Sequence, residues 1–417
     1  APSSCAAPRA CPCASPDLPA PGRDPMPETV IAGGVRTPLG AFGGALKDVP
    51  MSDLAAGAAR ACLSRAGLDP ARVDHMVFTT TVPSDRDSLF AARVVGVKSG
   101  IPEAAGALHV VRACASGLQA ILSAEQQVAS GHSTIALAGG AESYSRAPYA
   151  TTTIRWGAQR GPQQLEDMLD WAYRCPFSQE YMGETAENLA DDYQYTREAM
   201  DDWGALSQAR ALAARESGFL ARQIAPVTVA TRKGETVVEH DECPRADATA
   251  EKLAKLRPAF REGGRVTAGN ASTVNDAAAF LLVGERGALE AEGVAPRARL
   301  VDWTVVGVPP RIMGHGPVPA IRALLEKTGL AVSDVDYFEI NEAFAVVNLH
   351  AERHLGIPRE RHNAYGGGIS VGHPPGVTGV RMCLTAMQHL EDTGGRRAIL
   401  SMCLGAGQGM AMLIERV

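Results

Sequence analysis

Four groups in this sequence have the chemistry to make and break an acyl bond: the thiols of Cys114 and Cys403, the imidazole of His373 and the amide of Asn341. Cys114 lies in Val110-Val-Arg-Ala-Cys-Ala-Ser-Gly-Leu-Gln-Ala-Ile121, where an apolar run ends and an amphipathic segment starts at Ser116. A helix N-terminus carries unpaired N–H groups and partial positive charge, so this position is expected to favour a thiolate. By itself, a single cysteine is more often a small buried hydrophobe. Its candidate partners are far along the chain. Asn341 follows the predicted strand Val335–Ile340, and His373 sits in the glycine-rich bend Tyr365–Gly376 at the start of a predicted helix. Cys403 ends a predicted strand and opens the turn Gly405-Ala-Gly-Gln-Gly409. A nucleophilic thiol needs a base and a donor for the oxygen that becomes negative. His373 is expected to polarise Cys114, and a backbone N–H in the Cys403–Gly405 turn to meet the oxyanion. If Cys403 faces Cys114 it can act as an acid/base after acylation, because a thiol titrates nearer neutrality than a hydroxyl. On its own, Cys403 reads as a core cysteine at a strand end.

Such groups need a scaffold that brings distant segments together, and the sequence carries one twice. Arg60-Ala-Cys-Leu-Ser-Arg-Ala-Gly-Leu is echoed by Arg322-Ala-Leu-Leu-Glu-Lys-Thr-Gly-Leu, and Val73-Asp74 by Val335-Asp336, at a constant offset of 262 residues. Ile135-Ala-Leu-Ala-Gly-Gly resembles Ile399-Leu-Ser-Met-Cys-Leu-Gly at nearly the same spacing. Helix, glycine stop and β-branched strand alternate in both copies, the pattern of an α/β domain with a covered sheet. Two similar halves are expected to pack about a pseudo-dyad, with a site at their junction. The expected layout is a tail over 1–26, a first half over 27–143 completed by about 268–295, an insertion over 144–267 covering the junction, and a second half over 296–417. The tail, rich in proline and holding Cys5, Cys11 and Cys13, is read as disordered or appended, with Met26 as the natural start. Cys11-Pro-Cys13 lacks the spacing of a zinc knuckle. In the insertion, Arg245, Lys252, Lys255 and Arg257 are candidates for holding phosphates, a solvated face being the simpler reading of any one of them.

Composition narrows the field. A net charge of −6 without a basic block argues against a nucleic-acid surface. No apolar run approaches the roughly 20 residues of a membrane span. Nine cysteines without small-domain spacing point to a reducing compartment, and a cytoplasmic location is expected. Met410 breaks a dinucleotide fingerprint after Gly405-Ala-Gly407, and His350-Ala-Glu-Arg-His354 misplaces its Glu for a zincin, so it is read as a solvated helix face.

Ala113-Cys-Ala-Ser-Gly-Leu-Gln-Ala, Gly269-Asn-Ala-Ser272, Asn275-Asp-Ala-Ala, Met313-Gly-His-Gly-Pro-Val-Pro-Ala, Asn341-Glu-Ala-Phe-Ala, Gly372-His-Pro and Cys403-Leu-Gly-Ala-Gly-Gln-Gly together closely resemble the thiolases, acetyl-CoA acetyltransferases and 3-ketoacyl-CoA thiolases of fatty acid metabolism. The resemblance runs from about Pro27 to the C-terminus. It implies a five-layer αβαβα fold of two duplicated halves with an inserted loop domain, and two-step acyl transfer among acyl-CoA, acetyl-CoA and CoA. No cofactor or metal is implied beyond the coenzyme A thioesters that are substrates, and a homodimer or homotetramer is implied. Cys114 would carry the acyl group, His373 would activate it, and Cys403 would move the proton of the acetyl-CoA methyl. Asn341, through a water, with His373 would form one oxyanion hole, and the N–H groups of Cys114 and Gly405 the other. Ser272 and Arg245 match positions contacting coenzyme A, and Met313 and Phe344 would line the acyl pocket. The chain departs from the pattern at Val111 and Tyr365, where Asn is usual, at Tyr181, where His is usual, and at Thr273, where Gly is usual. Two alternatives are a decarboxylating condensing enzyme of the ketosynthase type, which typically has His or Asn in place of Cys403, and an inactive scaffold or lipid binder on the same fold.

Overall fold

The computed structural model describes residues 28–157, 160–232 and 234–417, so the expected tail lies outside the described residues. The first half runs β1 (Thr29–Arg36), β2 (Gly40–Ala41), α1 (Met51–Ala66), β3 (His75–Thr79), α2 (Ala91–Lys98), β4 (Gly106–His109), α3 (Ser116–Ala129) and β5 (Ile135–Ser143). A segment of short elements follows: β6 (Tyr149–Ala150), β7 (Glu166–Asp167), α4 (Met168–Tyr173), α5 (Met182–Tyr193), α6 (Arg197–Glu216), β8 (Val227–Thr231), β9 (Gly234–Val238) and α7 (Ala250–Leu253). Then come β10 (Asn275–Glu285) and α8 (Arg286–Ala291). The last stretch holds β11 (Pro296–Gly307), α9 (Pro317–Thr328), β12 (Tyr337–Ile340), α10 (Ala345–Leu355), α11 (Pro375–Thr393), β13 (Arg397–Leu404) and β14 (Gln408–Arg416).

The large strands form one hydrogen-bonded sheet of order β12-β13-β14-β11-β1-β10-β5-β3-β4, with β2 on β10. Its two limbs join only where Ile31 and Ala32 of β1 meet Ala298 and Pro296 of β11 across a register shift. Strand periodicity divides the interior. Along β10, Ala279, Leu281 and Val283 face one core, while Ala278, Phe280 and Leu282 face another. Along β14, Met410, Met412 and Ile414 share the core of the first set, and Ala411 and Leu413 face a third. The shared core holds Leu118 and Ile121 of α3 with Val377 and Val380 of α11. The outer cores hold α1 on one side and α9 and α10 on the other. The architecture is therefore α/β in five layers, helix–sheet–helix–sheet–helix.

The duplication is visible in local detail. Helices α1 and α9 both end on a left-handed glycine, Gly67 at φ 70° and Gly329 at φ 68°, the conformation that lets a chain leave a helix without a Cβ clash. At the centre, α3 and α11 press backbone on backbone. A Cβ added at Gly117 would lie 2.8 Å from the amide nitrogen of Gly379, and one at Gly379 would overlap the backbone of Gly117 and Leu118. These two glycines are also 262 residues apart, so equivalent positions of the two copies touch at the pseudo-dyad.

One expectation is overturned on the α10 face. His350 is buried, its Nε2 lying 2.8 Å from His315 Nδ1 and its Nδ1 3.2 Å from the Tyr195 hydroxyl. At that residue the helix faces α5 and the segment before α9, whereas Arg353 is exposed and Glu352 and His354 are half-buried. Among the described residues no helix is long and apolar enough to cross a membrane, and no group of three His, Cys, Asp or Glu could hold a metal ion.

Candidate active site

The stretch between β4 and α3 is wound into a tight turn. Ser116 Oγ accepts the Arg112 N–H (2.8 Å) and donates to the Ala113 carbonyl (2.7 Å), while Ala113 takes φ 43°, a left-handed value that a residue with a Cβ adopts only under constraint. That turn presents Cys114 on the wall of a cavity of about 260 Å³ shared with His373, Gly405, Met313, Phe344 and Ser272. Gly405 lines the same cavity, and its backbone amide and that of Cys114 favour the Cys114 thiolate. Gly405 opens the β13–β14 turn, where Ala406 (φ 67°) and Gly407 (φ 84°) reverse the chain.

His373 immediately precedes the prolines that start α11. Its backbone N–H donates to Asn275 Oδ1 (3.0 Å). Its Nδ1 lies 2.7 Å from Thr378 Oγ1, whose single proton goes to the Pro374 carbonyl (2.9 Å). Thr378 must therefore accept, which puts the ring proton on Nδ1 and leaves Nε2 a lone pair. The other contact agrees: Nε2 lies 3.2 Å from the Asn341 amide nitrogen, a donor. Asn341 Oδ1 is buried with no hydrogen-bond partner among the described residues. Asn341 and Cys403 are both fully buried behind the cavity wall. Cys403 is the penultimate residue of β13 and stands close enough to Cys114 for the charge of one to be felt by the other.

The helix-end expectation for Cys114 does not hold in sign. Burial raises its thiol above the usual range, outweighing the opposing pull of the two N–H groups. Helix α3 begins two residues later, and the amides that favour the thiolate are those of Gly405 and Cys114. Burial also holds the His373 imidazole down at about 3, with the Arg381 charge acting the same way. No hydrogen bond joins the two side chains among the described residues. The resting pair is thus neutral thiol and neutral imidazole. Alkylation of Cys114 by iodoacetamide, followed by peptide mapping, is accordingly expected to accelerate with pH beyond the ordinary thiol value of about 8.5, without a plateau near pH 7. A neutral-pH plateau would mean a preformed thiolate–imidazolium pair.

The other expected residues separate by position. Ser272 also belongs to the wall of a second cavity of about 420 Å³, which contains Arg245. Lys252 is engaged with Asp247 at 3.2 Å. Val111 is exposed on the first cavity, whereas Tyr365 turns away, stacking on Phe219 at 3.5 Å with its hydroxyl on His389. Tyr181 also faces out, donating to Asp170 (2.7 Å) beneath the Arg174 guanidinium. Thr273 has its hydroxyl 3.0 Å from Asn275 Oδ1, the oxygen that also receives the His373 amide.

Thr81, Tyr144 and Tyr173 are among the residues of the cavity that escape the sequence reading. Tyr144 directly follows β5, a strand whose end faces the junction, which is the one signal that could have found it. No Arg or Lys lines this cavity among the described residues.

The family model for the thiolase N-terminal domain matches residues 29–287, and that for the thiolase C-terminal domain matches residues 294–416. The beta-ketothiolase BktB of Cupriavidus necator is 44% identical over 391 residues, covering 94% of this chain and 99% of that protein. A beta-ketoadipyl-CoA thiolase of Pseudomonas aeruginosa is 44% identical over 399 residues, covering 94% and 99%. Among solved structures, the Bacillus anthracis acetyl-CoA acetyltransferase superposes with a TM-score of 0.91 at 42% identity over 94% of this chain and 99% of that one. The human mitochondrial 3-ketoacyl-CoA thiolase in complex with CoA gives 0.90 at 38% identity, over 94% and 98%.

Proposed function

The chain belongs to the thiolase family, and from that premise we propose that it thiolyses 3-ketoacyl-CoA, and runs the reverse Claisen condensation, through an acyl–Cys114 thioester. It is a CoA-dependent acyltransferase, and the finer assignment rests on the site. The observation that carries it is Gly405 on the cavity wall with Cys114 and His373, directly after the strand that holds Cys403. One turn thus delivers an oxyanion donor and a second thiol to the nucleophile.

In thiolysis, His373 Nε2 takes the Cys114 proton and the sulfur attacks the 3-keto carbon. The C2–C3 bond then breaks with its electron pair on C2, Cys403 protonates C2, and acetyl-CoA leaves. CoA–SH gives its proton to the Cys403 thiolate and attacks the acyl–Cys114 thioester. Cys114 departs and recovers its proton from His373. Asn341, on Nε2, is assigned to the enolate oxygen together with that imidazole. Ser272 and Arg245 are assigned to coenzyme A along the second cavity, and Met313 and Phe344 to the acyl group. With no cation on the acyl cavity, the reading favours acyl chains without a terminal carboxylate over the dicarboxylic type. The edge strand β4, largely exposed and unpaired on its outer side, supports assembly with a second copy by strand pairing.

Incubation with acetyl-CoA is expected to place an acetyl group on the Cys114 peptide, read by mass spectrometry, and acetoacetyl-CoA is expected to be thiolysed. Folded protein that gains no adduct at any acetyl-CoA concentration would sink the reading. Turnover of malonyl thioesters without any of acetyl-CoA would favour the ketosynthase alternative.

A further inference from the structure

The acyl cavity is apolar over most of its wall, through Met182, Met313, Phe344 and Val111, but two phenols and a threonine hydroxyl interrupt it. The Tyr144 hydroxyl lies 2.6 Å from Thr81 Oγ1, and Thr81 Oγ1 donates to Glu142 Oε1 at 2.8 Å. Glu142 is fully buried and also receives the N–H groups of Thr81 and Gly376 (both 2.9 Å) and the Thr80 hydroxyl (3.1 Å). Burial pushes its carboxyl up to about 7 against those donors, so at pH 8 it is ionised and only accepts.

The direction of the chain follows from counting protons. Thr81 has one hydroxyl proton and gives it to Glu142, so Tyr144 must give its own to Thr81. Tyr144, which lines the cavity, then has no phenol proton to offer and keeps a lone pair without a partner among the described residues. Tyr173 is the complement. Its ring stands edge-on to Tyr144 with centroids 6.3 Å apart, it lines the same cavity, and its hydroxyl makes no hydrogen bond to another described residue. Its proton is free to donate.

One fixed acceptor beside one free donor is the complement of an alcohol, which both donates and accepts. A carboxylate would meet the Tyr144 lone pair with no cation to offset its desolvation, and a plain alkyl chain would leave the Tyr173 hydroxyl unpaired. We propose that this pocket selects acyl groups carrying a hydroxyl on the acyl chain, held between Tyr144 and Tyr173, and that Glu142 and Thr81 position Tyr144 as the acceptor. This deepens the thiolase reading and rests on it.

The test compares kcat/KM at pH 8 for 3-ketoacyl-CoAs ending in methyl, hydroxyl or carboxylate, at several chain lengths, in the wild type and in Tyr144→Phe and Tyr173→Phe. At the favoured length the wild type should prefer hydroxyl to methyl, and carboxylate should be poorest. The hydroxyl-to-methyl ratio should fall about threefold to tenfold in either variant, the worth of one net hydrogen bond. A wild type that prefers methyl or carboxylate at every length, or a ratio unmoved in both variants, overturns the proposal. Calorimetric binding of ω-hydroxyacyl-CoA against alkanoyl-CoA reads the same preference without turnover. Absent thiolysis with that preference retained would sink the thiolase reading alone, and equal binding would sink the pocket assignment. Circular dichroism of both variants separates misfolding from lost selectivity.

Discussion

Cys403→Ala is expected to keep acetylation of Cys114 while losing exchange of the acetyl-CoA methyl protons with deuterated solvent by about three orders of magnitude, within the usual range for removing a general acid/base. The reason lies in the order of events. Burial, and then the proximity of Cys114, push the Cys403 thiol well above the ordinary thiol range. Acylation draws on Cys114 and His373 and comes first, whereas exchange of the methyl protons needs the acid/base proposed at Cys403. Cys403 has no exposed surface and packs among the outer apolar residues of its limb, so Ala leaves a small void costing about 1–2 kcal/mol. Circular dichroism should stay native. Deuterium uptake measured by NMR in Cys403→Ala at the wild-type rate would remove Cys403 from its role. Retained uptake in Cys403→Ser alone would point to a hydroxyl of unusual acidity.

Gly379→Ala is expected to be among the most damaging single methyl additions in the described structure. Its Cβ would fall on the backbone of Gly117 and Leu118, which cannot rotate away as a side-chain tip can. Forcing α3 and α11 apart costs about 2–4 kcal/mol by overpacking. The functional loss should be larger, because Cys114 precedes α3 by two residues and His373 precedes α11 by two. A shift of about 1 Å between nucleophile and base lowers kcat about a hundredfold. The control is Gly57→Ala in α1, where an added Cβ meets nothing within 4 Å and φ is ordinary, so stability should rise by about 0.5–1 kcal/mol. Chemical denaturation and steady-state thiolysis of the two variants check both halves. Near-native kcat in a stably folded Gly379→Ala protein would show that the helix contact does not set the site geometry.

The α/β class was legible because it is written locally. The repeated helix, glycine and strand could be read without knowing what touches what, and Gly67 and Gly329 do sit in the left-handed cap that their spacing implied. The nucleophile's turn and the glycine bend before α11 were legible for the same reason. What failed needs the third dimension. The raised thiol of Cys114 is set by desolvation, a property of everything around it, whereas the helix-end argument sees only one neighbour. His350 has polar neighbours in sequence, and only the packing of Tyr195 and His315 shows that its face is inside. Tyr173 comes from a stretch of weak periodicity, where nothing in the order of residues tells which side chains turn toward the cavity.

The glycine contact between α3 and α11 also sets a clock. The two glycines are 262 residues apart, so at ordinary rates of synthesis roughly 13–50 s pass between the translation of one and the other. Through that interval Leu118, Ile121 and Leu122 have no α11 to cover them, and the layer they belong to is finished only when β13 and β14 close the second limb. The nascent chain thus carries Cys114 beside a bare apolar helix face until α11, β13 and β14 are made. Shielding that face from other chains while the ribosome is still at work is expected to raise the yield of folded protein.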